Sequence, residues 1–122
     1  MILLDSSAIV EILRGTNKGK EILDKLDGEV FVSPFSIYEI FLGLKQSENI
    51  LLERLINTSQ ILNFDVGSAL SSVHVMETLT KKGQKINIID IFIASIAISN
   101  NLTLVSLDKD FTKIDNLKTL IF

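Results

Sequence analysis

Two hydrophobic patterns alternate along the chain, and together they predict short strands separated by helices. Short, mostly apolar runs that are typical of strands occupy residues 2–4, 30–32, 60–64, 103–105 and 118–122. Apolar residues at helical spacing occupy residues 8–13, 19–26, 35–44, 50–56, 65–82 and 88–99. Strands and helices that alternate throughout are typical of a three-layer α/β/α domain around a central, mainly parallel sheet.

Turn and cap residues agree with these boundaries. Gly15 follows the first predicted helix as a stop signal, Pro34 suits the first turn of the third, and Asp65 is placed to cap the long helix. No repeat, linker or low-complexity segment interrupts the chain, and its length suits one domain with a substantial core. We therefore expect a single domain over residues 1–122.

The segment 86–107 could be either a membrane span or part of the core, because Asp90 is its only charged residue and it is long enough to cross a bilayer. Asn87, Asn100 and Asn101 interrupt it, and one acid with three Asn side chains is costly in lipid. The Asn100-Asn101 pair is typical of a turn between a helix and a strand. We therefore expect a buried helix, turn and strand, and no membrane partner.

Composition restricts the chemistry further. The chain has no cysteine and one histidine, His74, which excludes disulfides, thiolate zinc sites and His-rich metal centres. His74 lies in a predicted helix, and we interpret it as structural. An acid at position 5, with no basic segment before it, argues against a signal peptide and favours the cytoplasm.

The formal net charge of −3, from 15 acids and 12 bases, is unusual for a nucleic-acid-binding protein, which is typically basic. If four of those acids surround a divalent cation, the remaining acids nearly balance the bases. Net charge therefore does not exclude RNA as a partner.

Four acids are predicted to share one edge of the sheet. Asp5 directly follows the first strand, and Asp108 lies shortly after the strand at 103–105. Glu39 lies in the first two turns of the helix after the second strand, and Asp90 lies near the start of its helix. In open parallel sheets, ligands bind at the carboxyl ends of the strands, where the strand order reverses. We expect all four acids to face that crevice.

Each of these acids also has a simpler interpretation. An Asp between a strand and a helix is often the N-cap, although Ser6 or Ser7 would cap the helix after Asp5 equally well. Glu39 lies among apolar residues in SPFSIYEIFLGL, and its alternative is an ordinary surface glutamate. Gly43, one turn further on, costs about 1 kcal/mol in helix propensity relative to Ala, which indicates close packing or open space beside the carboxylate.

Asp90 gives the strongest single signal, because isoleucines and a phenylalanine surround it in NIIDIFI. A buried carboxylate without a partner is costly, and no base occurs between Lys85 and Lys109. Asp90 therefore needs backbone amides or a metal ion, and a helix N-cap is the main alternative. Asp108 and Asp110, in SLDKDF, are typical turn formers; we favour Asp108 as the site residue because it lies closer to the strand.

Four carboxylates brought together repel one another and require a cation. Carboxylate and water oxygens are ligands of hard ions, so the residue types favour Mg²⁺ or Mn²⁺ over zinc or copper.

Three segments together match a known family. MILLDSSAIVEIL combines an opening strand, an acid and a following hydroxyl, and SPFSIYEIFLGL combines a second acid with a Gly four residues later. IIDIFIASIAISNNLTLVSLDKDF contains a third acid, a helix with small residues, a strand and a closing acid motif. These segments resemble PIN domains, and most closely the VapC-type toxins of toxin–antitoxin pairs, over almost the whole chain. Ser106 stands where the family often has Thr, and Ser95 where a small apolar residue is common.

The resemblance implies a PIN-like fold, a Mg²⁺ cofactor that Mn²⁺ can replace, and a metal-dependent endoribonuclease. It implies that the product carries a 5′-phosphate and a 3′-hydroxyl, and that the target is a structured RNA such as tRNA. It further implies a homodimer and a cognate antitoxin that inserts a segment into the acidic groove. The implied metal-binding and catalytic residues are Asp5, Glu39, Asp90 and Asp108, with Ser7 and Ser106 as supporting hydroxyls and Asp110 as a substitute or partner for Asp108.

Other functions remain as alternatives. One is a catalytically silent PIN-like domain that binds protein or RNA. A haloacid-dehalogenase-type phosphatase would need a second acid where Ser7 stands, and a response-regulator receiver would need an acid paired with Asp5. The candidate phosphate contacts, for which an ordinary solvated surface is the alternative, are Arg14, Lys18, Lys20 and Lys45.

Overall fold

Five strands and six α-helices make up the computed structural model, which describes residues 1–122. The strands are β1 (Ile2–Leu4), β2 (Val30–Val32), β3 (Gln60–Ile61), β4 (Thr103–Ser106) and β5 (Lys118–Ile121). The helices are α1 (Ser6–Arg14), α2 (Asn17–Lys25), α3 (Pro34–Gly43), α4 (Asn49–Thr58), α5 (Val66–Lys81) and α6 (Ile88–Ser99). Two short 3₁₀ helices, Gln46–Glu48 and Lys109–Lys113, complete the secondary structure.

The strands form one sheet in the order β3-β2-β1-β4-β5, and every neighbouring pair is parallel. Leu4 is in register with both Val32 and Val105, so the carboxyl ends of the three central strands are level. The chain builds the sheet outward from β1 in one direction and then returns to its other side through β4. The strand order therefore reverses between β1 and β4, which places the ligand-binding crevice at the ends of these two strands.

Helices cover both faces of the sheet, because successive side chains of a strand point to opposite faces. Leu3 and Leu104 enter the core that the sheet shares with α5 and α6. Leu4 and Val105, the next residue in each strand, enter the second core, shared with helices α1 to α4. The prediction of a three-layer α/β/α domain with a mainly parallel sheet is confirmed.

A close approach between α1 and α2 depends on a glycine. A Cβ added to Gly19 would lie 2.2 Å from the carbonyl oxygen of Glu11. Gly15 ends α1 with a left-handed φ of 63°, and the Thr16 side chain accepts a hydrogen bond from Gly19 N to begin α2. The two helices can pack with their backbones in contact only because residue 19 has no side chain.

The strand predicted at residues 60–64 is wrong in length, since β3 ends at Ile61. Leu62 N still donates to Val32 O at 3.0 Å, but the chain then leaves the sheet so that Phe64 packs on the core. Asp65 caps α5 by accepting a hydrogen bond from Ser68 N, as predicted. The short edge strand therefore reflects the need to reach the start of α5.

The apolar segment at residues 86–107 forms α6, a turn at Asn100 and Asn101, and β4, as predicted. Residues 93–97 of α6 are buried in the core. No helix of the structure has both the length and the apolar character that a membrane crossing requires.

Candidate metal centre

Three carboxylates meet at the crevice between β1 and β4. Asp5 follows β1, Glu39 lies in the second turn of α3, and Asp90 is the third residue of α6. One carboxylate oxygen of each lies within 4.8 Å of those of the other two. Three of the four acids that the sequence selected are therefore brought together by three separate elements.

Asp5 directs its carboxylate into this cluster, and its side chain does not cap α1. It stands at the N-cap position, but its side chain makes no capping hydrogen bond. Its Oδ2 accepts hydrogen bonds from Ser7 Oγ at 3.0 Å and Ser106 Oγ at 2.8 Å. Its Oδ1 is buried and has no hydrogen-bond partner. The N-cap interpretation therefore holds for the position and backbone of Asp5 but not for its side chain, whose Oδ1 keeps an unused hydrogen-bonding capacity.

The two supporting hydroxyls tie the ends of β1 and β4 together. Ser7 Oγ accepts a hydrogen bond from Leu107 N, and Ser106 Oγ accepts one from Asp108 N, both at 3.0 Å. Since each serine also donates to Asp5, each hydroxyl joins a backbone amide to a carboxylate. This arrangement fixes the orientation of Asp5 and leaves only its Oδ1 for a ligand.

Glu39 is oriented by a contact that the sequence analysis missed. Ser6 Oγ donates to Glu39 Oε1 at 3.2 Å, although 33 positions separate the two residues. Burial raises the pKa of Glu39, the hydrogen bond from Ser6 lowers it, and the charge of Asp5 raises it. The only sequence signal for this role is a hydroxyl directly after the first acid. A Cβ on Gly43 would meet nothing within 4 Å, so open space beside Glu39, and not close packing, accompanies this glycine.

Asp90 does not cap α6 either. The N-cap is Asn87, whose side chain accepts a hydrogen bond from Ile89 N at 2.9 Å. Burial and, after it, the charges of Asp5, Glu39, Asp108 and Asp110, in that order, together raise the pKa of Asp90 to about 7. The helix N-cap alternative is wrong, and Asp90 is a half-buried carboxylate among other carboxylates.

Asp108 and Asp110 adjoin the cluster without joining its tight set of three. Asp108 Oδ1 accepts a hydrogen bond from Asp110 N at 2.9 Å and so caps the 3₁₀ helix Lys109–Lys113. Asp110 pairs with Lys113 Nζ at 2.9 Å. Of the two, Asp108 has the stronger effect on the pKa of Asp90 and lacks an ion pair, so it is the better placed fourth acid.

A groove leads from the carboxylates along α1 and α3; we call it the α1–α3 groove. Its volume is about 330 Å³, and its walls include Ser6, Val10, Arg14, Glu39, Gly43 and Leu107. Among the candidate phosphate contacts, only Arg14 lines it. Lys18 instead pairs with Glu21 at 3.6 Å on the surface of α2.

The donor set fits a hard divalent cation. Its ligand atoms are carboxylate oxygens, the type that Mg²⁺ and Mn²⁺ prefer. Asp5 Oδ1 is buried without a hydrogen-bond partner, and burial and then the neighbouring carboxylates raise the pKa of Asp90. A cation bound among these acids would supply a partner for that oxygen and favour the ionised form of Asp90.

Sequence comparison decides the family. The sequence model of the PIN domain matches residues 2–117. The chain belongs to the PIN domain family. This PIN domain is 32% identical to ribonuclease VapC3 of Methanocaldococcus jannaschii, over 76% of the chain and 94% of that protein. It is 25% identical to ribonuclease VapC1 of Rickettsia felis, over 98% of the chain and 94% of that protein. The resemblance to VapC-type PIN domains is therefore confirmed.

Solved structures agree on the fold. One similar structure is that of VapBC2 from Rickettsia felis bound to promoter DNA. The match covers 100% of this PIN domain and 99% of a chain in that structure, with a TM-score of 0.88 and 24% identity. A second is FitAcB of Neisseria gonorrhoeae, where the match covers 98% of this PIN domain and 96% of a chain in that structure, with a TM-score of 0.82 and 28% identity.

Proposed function

We propose that this PIN domain is a Mg²⁺-dependent endoribonuclease that acts as the toxin of a toxin–antitoxin pair. The observation that carries the proposal is the meeting of Asp5, Glu39 and Asp90, with the buried Oδ1 of Asp5 left unpartnered. Relatives named ribonuclease VapC support RNA as the substrate.

In the proposed mechanism, Asp5 and Asp90 would be the principal metal ligands, and Glu39 and Asp108 would hold outer water molecules or a second ion. A bound Mg²⁺ supplies charge neutralisation at the scissile phosphate and lowers the pKa of the attacking water. Ser7 and Ser106 donate hydrogen bonds to Asp5 Oδ2, which leaves Oδ1 as the oxygen that would bind the ion. Asp110 is retained as a partner of Asp108.

The chain contributes mainly the orientation of the carboxylates. Asp5 is rigid because its Oδ2 accepts two hydrogen bonds and it is 4% exposed. Ser6 keeps Glu39 turned toward the other acids. A carboxylate set of this kind binds the ion tightly only while its members are ionised, so metal binding releases the proton that Asp90 holds near neutral pH.

Metal titration tests the proposal against a catalytically silent PIN domain. We expect Mg²⁺ and Mn²⁺ to raise the melting temperature of the protein, and EDTA to reverse the rise, because a ligand that binds only the folded state stabilises it. Cleavage of RNA should follow the same titration and should yield 5′-phosphate and 3′-hydroxyl ends, identified by mass spectrometry. Binding of RNA with neither a metal-induced shift nor cleavage would support the silent alternative.

We also propose two protein partners, a second copy of this chain and a cognate antitoxin. Tyr38, Phe41 and Leu42 on α3 and Ile50 on α4 are exposed large hydrophobic side chains, and such patches mark protein interfaces. The VapBC assemblies with this fold support an antitoxin partner. Light scattering should give twice the mass of one chain, and Phe41→Ser should reduce association with a copy or with the antitoxin.

We further propose the cytoplasm, where RNA is available, as the compartment of action.

A further inference from the structure

We infer that the α1–α3 groove binds unpaired RNA beside the scissile phosphate, with Arg14 as a phosphate contact and Gly43 as the position that keeps the groove open. This inference rests on the proposed ribonuclease activity, and it specifies which side of the site the substrate occupies and in which form.

The groove is continuous with the acid cluster. Ser6 and Glu39, which are hydrogen-bonded to each other, line its inner end, and Arg14 lies eight residues further along α1. Eight residues of α-helix span about 12 Å. A strand that leaves the acids along this groove therefore reaches Arg14 within a few nucleotides.

Arg14 is oriented for an anion. Its Nε donates to Glu48 Oε2 at 3.1 Å and its Nη2 to Glu48 Oε1 at 3.5 Å. These bonds use one edge of the guanidinium and hold the plane of the group, while Nη1 makes no hydrogen bond to the protein. The side chain is 45% exposed, so its free edge is accessible to a phosphate.

Two carboxylates also line the groove, Glu39 of the acid cluster and Glu11. The Glu11 carboxylate accepts a hydrogen bond from the hydroxyl of Thr16, at the start of α2, which ties it to that helix. Arg14 is thus the only base that faces the groove. Its charge is offset by Glu48, so its contribution is directional hydrogen bonding more than long-range attraction.

Gly43 supplies the space. It forms the last residue of α3, one turn beyond Glu39, and an added Cβ would meet nothing within 4 Å. Its φ is not left-handed, so the backbone itself does not require glycine at this position. The free volume of about 330 Å³ is at the small end of ligand sites and suits a single nucleotide better than two paired strands.

The test measures binding of a short single-stranded RNA by Arg14→Ala and Gly43→Leu, each in an Asp90→Asn background in which the RNA stays intact. We expect Arg14→Ala to bind about tenfold more weakly, because it loses a charge-assisted hydrogen bond. The slope of log affinity against log salt should also become shallower, by less than the full unit of an unpaired base, because Glu48 offsets part of the charge of Arg14. Gly43→Leu should weaken binding through lost space, with an unchanged salt slope.

Matched controls keep the result specific. Lys82→Ala removes a base that is likewise paired with an acid, Asp115, but lies outside the groove, and it should bind like the parent protein. Gly43→Ala adds one methyl group and should lose much less affinity than Gly43→Leu. Retention of the metal-induced rise in melting temperature by Gly43→Leu, measured in the Asp90-containing protein, would show that the fold and the acid cluster survive the substitution.

Each contrary result has a distinct meaning. Equal RNA binding by parent, Arg14→Ala and Gly43→Leu, together with Mg²⁺-dependent cleavage by the wild-type protein, would overturn the groove assignment and leave the ribonuclease proposal intact. Equal affinity for a duplex of the same sequence would overturn the preference for unpaired RNA. If Gly43→Leu blocked only the antitoxin, the groove would be assigned to a protein partner instead. A wild-type protein that cleaves no RNA would overturn the proposed function itself.

Discussion

Ser106 Oγ donates a hydrogen bond of 2.8 Å to Asp5 Oδ2, although 101 positions separate the two residues. Ser106 is fully buried at the end of β4, and its hydroxyl also accepts a hydrogen bond from Asp108 N. The contact therefore joins the two strands between which the strand order reverses, and it connects two acids of the candidate site through one hydroxyl.

Ser106→Ala tests how much this contact stabilises the folded protein. The substitution leaves Asp5 Oδ2 with one donor fewer and the amide of Asp108 without its acceptor, so we expect a loss of about 1–3 kcal/mol in the free energy of unfolding. Urea denaturation measures it. Ser95→Ala is the matched control, because Ser95 is also buried but donates only to Ile91 O of its own helix. Equal losses of unfolding free energy in the two variants would show that the contact with Asp5 stabilises the fold no more than the hydrogen bond of Ser95 does.

Asp90→Asn should abolish RNA cleavage and raise the melting temperature in metal-free buffer. The physical reason is that the substitution removes a charge that burial and the neighbouring acids disfavour. Asp5→Asn should likewise abolish cleavage with the fold retained. Asp115→Asn, which changes an exposed acid paired with Lys82, serves as the control and should leave cleavage unchanged. Wild-type cleavage rates in Asp90→Asn would remove Asp90 from the mechanism.

The contribution of Asp90 to the stability of the metal-free protein should fall as the pH rises from about 4 to about 7. In the unfolded chain Asp90 loses its proton near its ordinary pKa of about 4, whereas in the folded protein its pKa is raised to about 7. Between these values the folded state binds more protons than the unfolded state, so stability decreases with rising pH. Melting temperatures across this range, for the wild type and Asp90→Asn, measure the effect. A slope that is the same in both proteins would contradict the assignment to Asp90.

Ser6→Ala should move the acidic limb of the cleavage profile to higher pH. The hydrogen bond from Ser6 lowers the pKa of Glu39, so its removal raises that pKa and delays ionisation of the carboxylate. Ser6→Thr keeps the hydroxyl and should restore the profile. A uniform drop in rate at every pH, with no shift of the limb, would indicate that Ser6 acts only on the fold.

Gly19→Ala should destabilise the protein by about 3 kcal/mol or more, because its Cβ would lie 2.2 Å from the backbone oxygen of Glu11 and force α1 and α2 apart. Gly67→Ala is the matched helical control. Its Cβ would meet Asp65 Oδ1 at an ordinary 3.5 Å, and the gain in helix propensity should leave stability unchanged or slightly higher. Chemical denaturation of both variants measures the difference.

Much of the fold was predictable because its signals are local. The apolar runs and helical spacings that mark β1, β2, β4 and α6 are properties of neighbouring residues, and α6 has the predicted bounds of residues 88–99. The predictions failed where contacts between residues far apart in the chain determine the local structure. The edge strand β3 ends at Ile61 because Phe64 has to reach the core, and no local pattern around residue 62 reports that requirement.

By itself, the sequence determined the alternation of strands and helices, the edge of the sheet at which acids follow the strands, and the choice of Asp5, Glu39, Asp90 and Asp108 as the acids that face it. Only the tertiary structure decided how they are arranged there. It showed that Asp5 Oδ1 is unpartnered, that Ser6 holds Glu39, that Asp108 stands beside the tight set of three, and that Arg14 alone among the candidate bases lines the groove. The physical reason is that periodicity is a property of adjacent residues, whereas the partner of a polar atom is set by the packing of elements that are far apart in the chain.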